Sequence, residues 1–318
     1  MKKSKKSRKW LRNVFLTFAL VIVAGIIYGV YQYRSGLAMA DDGLYKDDQK
    51  AYDPFEGADV QFGQINVLLL GSDARDEDGR SDSLMIAHYD QTTNDVKLIS
   101  IMRDTYVDIP GHGKNKINSA FAFGGPELVR KTIKQNFDID VNYYAIADFK
   151  GFPKIIDLLA PDGIEVDIPY EMSYGIGMTL HPGKQTLHGA GLLGYVRFRH
   201  DRLSDFGRVE RQQEVLTKVK EQIGVSSLMN LPKLLGVADS YFDTNVDNKT
   251  ILTIGKGIVN GKSSMDTLRI PVANSFEDKR TNVGDVLDIN LDKNKQALEE
   301  FLSSKDSEKI AKTDGISS

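Results

Sequence analysis

The apolar pattern opens with an uncharged 18-residue run from Val14 to Tyr31 (VFLTFALVIVAGIIYGVY). As a helix rising 1.5 Å per residue it spans roughly 27 Å, close to the roughly 30 Å hydrocarbon core of a bilayer. Trp10 before the run and Tyr28, Tyr31 and Tyr33 at its end suit the two membrane interfaces. After it the pattern shortens into strands. Asn66–Leu70 reads as a buried strand that delivers a loop at Gly71-Ser72-Asp73. Leu84–Tyr89 and Val96–Met102 flank a turn cluster from Asp90 to Asp95 and predict a hairpin.

Farther along, Gly124-Gly125-Pro126-Glu127 predicts a helix start with Pro in the first turn and an end near Phe137. A strand at Val141–Ile146, a helix at Phe149–Leu159 and an alternating strand at Ile164–Ile168 come next. Residues 208–223 carry Val209, Leu216, Val219 and Ile223 on one helical stripe. Ile251–Val259 predicts a helix and Asp266–Val272 a strand. This alternation with one hairpin predicts an α/β (α+β) fold: a central mixed β-sheet flanked by helices, preceded by a single N-terminal transmembrane helix. The expected divisions are a cytoplasmic stub at 1–13, a signal-anchor helix at 14–33, an extracytoplasmic tether at 34–63, a catalytic domain at 64–302 and a polar tail at 303–318.

Charge sharpens the topology. Seven basic residues and no acid lie within residues 1–12, so the positive-inside rule keeps that end in the cytoplasm and exports the rest of the chain. A single-pass type II protein of the cell membrane is expected. A cleaved signal peptide is the rival, since Ala38-Met39-Ala40 resembles a cleavage site; the length of the apolar run and the intervening Arg34 speak for the uncleaved anchor. Net charge is −3 overall and −10 without the seven basic groups, so the body lacks the basic footprint of a nucleic-acid binder. With no cysteine, disulfides, thiolate metal sites and cysteine nucleophiles are excluded. HExxH, GxSxG and Walker A spacings are absent.

The candidate chemistry is arginine and aspartate in three segments: Arg80-Ser81-Asp82-Ser83, Met102-Arg103-Asp104, and Arg197 to Gln213 (RFRHDRLSDFGRVERQQ). Five arginines crowd into the third, a cost unless something negative sits among them. Guanidinium groups fit phosphate oxygens bidentately. If the backbone is extended, Arg197 and Arg199 share one face, and Arg208 and Gln212 share a helix face. Asp205 could cap that helix, whose free amides would favour an anion. Asp73 and Asp82, on loops at a strand end, could hold Mg²⁺ or Mn²⁺ together with substrate phosphates. The plain alternatives are a turn role for Asp73, local capping by Asp82, and salt-bridged surface arginines, with Arg211 pairing Asp201 or Glu214.

Together these segments resemble the LytR-CpsA-Psr family of membrane-anchored phosphotransferases. The resemblance is carried by NVLLLGSDAR (66–75), GRSDSLMI (79–86), SIMRDTYVDIPG (100–111), KINSAFAFGG (116–125) and YVRFRHDRLSDFGRVERQQ (195–213), in this order behind an anchor. One departure is Ala160-Pro161-Asp162-Gly163, where many relatives carry paired glycines. The resemblance implies transfer of a glycopolymer, wall teichoic acid or capsular polysaccharide, from a polyprenyl-diphosphate carrier to the C6 hydroxyl of peptidoglycan N-acetylmuramic acid. It assigns metal binding to Asp73 and Asp82 and catalysis to Arg80, Arg103 and Asp82. Diphosphate binding falls to Arg80, Arg103, Arg197, Arg199, Arg208 and Gln212, with Arg75 and Arg211 in second rank. Two other functions stay open: a membrane-bound attenuator of envelope-gene transcription, and a polyprenyl-diphosphate hydrolase or binding protein.

Overall fold

A computed structural model describes residues 4–39, 52–72, 81–224, 227, 229–261 and 265–304. Its centre is a six-stranded sheet in the order β10-β3-β2-β1-β6-β9. The strands are β1 (Gln64–Ser72), β2 (Ser83–Asp90), β3 (Asp95–Ile101), β6 (Tyr143–Asp148), β9 (Phe242–Thr244) and β10 (Asp266–Ile270). β1–β2, β2–β3 and β6–β9 pair antiparallel, whereas β1–β6 and β3–β10 pair parallel. The predicted mixed sheet and the β2–β3 hairpin are therefore present. The hairpin turn places Asn94 at φ 61, which asparagine tolerates better than most residues.

This topology brings the carboxyl ends of β1, β3 and β6 and the start of β2 to one sheet edge, since Gly71 pairs with Ser83 and Leu84 with Ile101. In such sheets ligands bind outside those strand ends. A four-stranded sheet, β11-β12-β4-β5, packs beside the first and comprises β4 (Thr105–Ile109), β5 (Gly113–Lys116), β11 (Phe276–Thr281) and β12 (Gly284–Ile289). β7 (Ile164–Ile168) and β8 (Gly183–Leu187) form a separate hairpin. The core between the two larger sheets buries Leu68, Ile86, Ile99, Ile109, Ile117 and Ile133 completely.

Eight helices carry labels among the described residues: α1 (Ser4–Met39), α2 (Ser119–Phe137), α3 (Gly151–Leu159), α4 (Gly189–Arg197), α5 (Asp205–Gln222), α6 (Leu231–Tyr241), α7 (Asn248–Asn260) and α8 (Leu291–Ser303). α2 starts earlier than its pattern predicts. It kinks at Gly124 and Gly125, the latter at φ 62, and the predicted segment is the part that resumes at Pro126. On α5 the inward residues are Val209, Val215 and Val219, whereas Leu216 is half-exposed. Lys97 of β3 is buried and donates to the carbonyl oxygens of Phe301, Leu302 and Ser304, satisfying the last turn of α8.

α1 runs through the predicted anchor. Residues 14–33 are helical, as expected; among the described residues no helix is long and apolar enough to cross a membrane. The side chains of residues 4–16 and 18–20 lie outside the described set, and the described apolar stretch, 21–31, covers only roughly 16 Å. Along it Val21, Ile22, Val23, Ile26, Ile27 and Val30 are all exposed. The far end of α1 docks on α6, where Gly36 and Gly236 let the two backbones touch. Lys154 of α3 donates to the carbonyl of Met39 and to the Tyr241 hydroxyl, fastening the same corner.

Candidate active site

The sheet edge is closed by Ser81, fully buried, whose hydroxyl donates to the Ser83 carbonyl at 2.6 Å and approaches the Gly71 carbonyl at 3.1 Å. The Asp82 amide donates to Gly71 at 3.0 Å. These contacts fix Asp82 at the mouth of β2. Asp73, Arg75 and Arg80, to which the family resemblance assigns metal, diphosphate and catalytic roles, lie outside the described residues.

Arg103 leaves the end of β3 in a tight turn, secured by the Thr105 hydroxyl donating to the Met102 carbonyl at 2.6 Å. It turns back toward Asp82 and donates to Oδ1 at 2.8 Å. α5 is pinned across the edge: Gln213 donates to the Ser100 hydroxyl and the Leu268 carbonyl, and Ser83 donates to Gln212. Arg208, 5% exposed, donates to the Asp82 carbonyl at 2.9 Å, and its guanidinium lies 2.8 Å from Asp205.

A cavity of ≈ 170 Å³ opens at this edge, lined by Asp82, Phe149, Tyr174, Gly175, Arg197, Arg199, His200, Arg208 and Gln212. A smaller recess shares Asp82, Arg208 and Gln212 with it and adds Ser83 and Arg103. The structure thus brings together Asp82, Arg103, Arg197, Arg199, Arg208 and Gln212 from the three predicted segments. Arg211 is not among them. It donates to Asp201 at 2.8 Å and to the carbonyls of Tyr195 and Phe198, locking the end of α4 to α5. Asp201 is one of its two expected partners; the other, Glu214, instead accepts from the Tyr195 hydroxyl and Lys218.

Two expectations about local geometry change. Arg197 closes α4 rather than lying on a strand, and Phe198 after it is extended, at φ −62 and ψ 134. Both arginines still reach the cavity because the helix end turns the chain there, and the Arg197 guanidinium sits over the Phe149 ring, 5.0 Å from its centroid. Asp205 does not cap α5. Ser204 precedes the helix at φ 50, and the amides of Phe206 and Gly207 are taken by the Leu203 carbonyl. The helix terminus therefore offers an anion less than its position suggests. Gly207 sits close to its neighbours there: a Cβ would lie 3.1 Å from both the Asp201 carboxylate and the Leu203 side chain.

The electrostatics call for an anion. Three guanidinium groups face one carboxylate in the cavity, leaving two net positive charges, and Arg103 with Asp205 leaves that balance unchanged. Burial weighs against the charged form of Arg103, but Asp205, Asp104 and Asp82 outweigh it and hold its pKa above the ordinary arginine value. Arg208 goes the other way. Burial lowers its pKa; Asp205 and Asp82 outweigh the repulsion from Arg103 and Arg199 but do not offset that burial. Both carboxylate oxygens of Asp205 and the Nε atoms of Arg103 and Arg208 are buried without a hydrogen-bond partner, so this cluster is incompletely satisfied. Such a site can hold a phosphorylated group and stabilise charge developing on it.

Sequence reasoning missed Phe149, Tyr174, Gly175 and His200 as cavity residues. Phe149 comes directly after the carboxyl end of β6, a position that could have drawn attention. His200 is the neighbour of Arg199. Tyr174 arrives from a loop distant in sequence and carried no signal.

The fold and site define an anion-binding α/β domain with an arginine-rich cavity at the carboxyl edge of its sheet. The LytR_cpsA_psr family model matches residues 28–300, and the chain belongs to that family. It is 43% identical over 281 residues to the regulatory protein MsrR of Staphylococcus aureus (strain COL), covering 87% of this chain and 85% of the relative. It is 30% identical over 286 residues to the polyisoprenyl-teichoic acid–peptidoglycan teichoic acid transferase TagU of Oceanobacillus iheyensis, covering 85% and 87%. Among solved structures, the LytR-CPS2A-psr family protein YwtF (TagT) with bound octaprenyl pyrophosphate lipid superimposes with a TM-score of 0.56 at 26% identity. That match covers 81% of this chain and 95% of the neighbour.

Proposed function

We propose that the protein is a phosphotransferase that moves an anionic glycopolymer, wall teichoic acid or capsular polysaccharide, from a polyprenyl-diphosphate carrier to peptidoglycan. The acceptor is the C6 hydroxyl of N-acetylmuramic acid, the new bond a phosphodiester, and the leaving group polyprenyl phosphate. The observation that carries this reading is the net charge of the cavity, where Arg197, Arg199 and Arg208 face the single carboxylate of Asp82. A diphosphate diester carries about two negative charges and would balance it. Arg103, Arg197, Arg199 and Arg208 bind and neutralise the diphosphate, and Arg80 and Arg75 are further diphosphate ligands in this reading. Gln212 supplies an amide donor. Two relatives support the substrate class: TagU by the activity in its name, and TagT by its bound octaprenyl pyrophosphate.

Mg²⁺ or Mn²⁺ fits the donor set. Asp82 lines the cavity with a carboxylate only partly engaged by Arg103, and Asp73 would supply the second carboxylate. Among the described residues no group of three or more His, Cys, Asp or Glu gathers to hold a metal. An ion here would draw its other ligands from phosphate and water, as Mg²⁺ commonly does. When bound it would add charge stabilisation at the phosphoryl oxygens.

The exposed aliphatic residues of α1 fit burial in lipid, so residues 14–33 anchor the chain and hold the domain outside the membrane. The name of the S. aureus relative favours a second reading, control of envelope genes. The body of the chain carries a net charge of −10 and lacks the basic footprint of a DNA binder, so such control would act through the state of the wall. The deciding experiment incubates the protein with a polyprenyl-diphosphate glycan and Mg²⁺, with and without peptidoglycan oligomers. Glycan attached to peptidoglycan supports the transferase. Released glycan in equal amount with and without acceptor makes it a hydrolase, and an unchanged lipid in both arms ends the enzymatic reading.

A further inference from the structure

Attack by a sugar hydroxyl on phosphorus must shed a proton, and the arginines of the cavity cannot accept it. Asp82 accepts a hydrogen bond from Arg103 at 2.8 Å and is the described residue assigned to a metal, so it is poorly placed as a base. Gln212 has no basic atom, and the Tyr174 hydroxyl is itself a proton donor. One described side chain of the cavity remains with a ring nitrogen that can accept a proton: His200.

Its setting suits the task. His200 lies beyond the end of α4, exposed at the cavity wall, with its ring edge-on to Tyr174 at a centroid distance of 4.0 Å. Tyr174 is 69% exposed, so one face of its ring stays open beside the imidazole. A sugar ring docking on that face would bring its hydroxyl to the imidazole rather than to the arginines. The charged groups around His200 are Arg197, Arg199, Arg208 and Asp82 in the cavity, and Asp201 and Arg202 in its own segment. Asp201 is turned away, held by Tyr170, Arg211 and the Ser204 amide.

We infer that His200 is the proton acceptor of the transfer step and that Tyr174 is the platform that positions the acceptor sugar beside it. The inference rests on the transferase reading. The acceptor oxygen forms a bond to the glycan-side phosphorus, and the bond from that phosphorus to the bridging oxygen breaks. Its electron pair stays with the departing polyprenyl phosphate, and the hydroxyl proton passes to an imidazole nitrogen and on to water.

The test uses the full chain in detergent with a polyprenyl-diphosphate glycan and muropeptide acceptor. It measures kcat from about pH 5.5 to about pH 8.5 and, separately, the Kd for polyprenyl diphosphate. His200→Gln is expected to lower kcat roughly 10²- to 10³-fold and to abolish the acidic limb of the profile, with Kd within about threefold of wild type. Added imidazole is expected to restore part of the rate in His200→Ala. Tyr174→Ala is expected to raise KM for the acceptor more than it lowers kcat. A His200→Gln profile that matches wild type overturns the inference, and so does a kcat loss explained by an equal loss of diphosphate affinity. The transferase reading survives either result. A wild-type protein that binds the lipid and transfers nothing overturns both.

Discussion

Asp82 precedes β2 and Arg103 follows β3, 21 residues apart, yet Arg103 Nη1 donates to Asp82 Oδ1 at 2.8 Å across the open edge of the central sheet. The same guanidinium also faces Asp104 at 3.5 Å and Asp205 at 3.9 Å. Three carboxylates around one arginine orient it before any ligand arrives. Preorganised charge of this kind costs no reorganisation when the transition state forms.

Arg103→Ala should therefore lose activity rather than fold. A fall of roughly 10²- to 10³-fold in kcat/KM is expected, the range seen when one preorganised donor is removed. The pair is about one-quarter exposed on each side, so its loss should shift Tm by only a few degrees. Parallel rate and melting measurements check this. A wild-type rate in Arg103→Ala would remove Arg103 from the mechanism.

Arg199 and Arg211 stand twelve residues apart in the same basic run and should separate cleanly. Arg211 is 7% exposed and pairs with Asp201, whose side chain is 3% exposed. Arg211→Ala would strand that carboxylate, a loss of roughly 3–5 kcal/mol, or about 6–20 °C in Tm. Arg199→Ala removes an exposed guanidinium that makes no ion pair among the described residues, and should leave Tm within about 2 °C while weakening binding of polyprenyl diphosphate about tenfold or more. Melting curves paired with lipid-binding isotherms measure both. The reverse pattern would exchange the roles of the two residues.

That contrast shows how far sequence carries. Spacing placed Arg208 and Gln212 on one helix face, and both reach the cavity, because helical periodicity is a local property. The β2–β3 hairpin was legible for the same reason. Arg211 could not be assigned, since its alternative partners Asp201 and Glu214 are both near in sequence and only tertiary packing chooses between them. The extended geometry expected at Arg197 failed because Gly189–Arg197 packs as a helix against α3, a long-range preference invisible in a two-residue alternation. The second sheet was missed where its strands are short or exposed; Gly113–Lys116 and Phe276–Thr281 carry little apolar alternation. Tyr174 joined the site through the fold alone.

His88 gives the fold a pH dependence of definite sign. It is 5% exposed within β2, with Nδ1 2.8 Å from Asn66 Oδ1. Burial lowers its pKa and the Lys97 ammonium lowers it further, against a smaller opposing pull from Asp90. The unfolded chain therefore binds a proton at higher pH than the folded one. Stability should fall as pH drops below about 6.5, by up to about 1.4 kcal/mol per pH unit, and level off below the depressed folded value. Urea unfolding at several pH values between about 5 and 7.5 tests this. His88→Gln should flatten this window; an unchanged slope in the variant would assign the pH dependence to other groups.

The contact between α1 and α6 makes α1 part of the folded unit. A Cβ added at Gly36 would lie 2.2 Å from the Lys233 carbonyl oxygen, and one added at Gly236 would lie 2.2 Å from that of Tyr33. Both clashes are with backbone, so no side-chain rotation relieves them, and the helices must separate. Gly236→Val should release α1 from the domain and expose the buried side of α6 near Val237, which is fully buried. A loss of roughly 2–4 kcal/mol is expected from overpacking and lost burial together. Hydrogen exchange on the full chain in detergent measures the separation directly: amides of Leu231–Tyr241 should lose protection in Gly236→Val while those of β1 and β2 keep theirs. Ser240→Ala, on the same helix, is the control and should leave protection unchanged. Equal protection in Gly236→Val and wild type would mean that the two helices do not pack in solution, and α1 would then move independently of the domain.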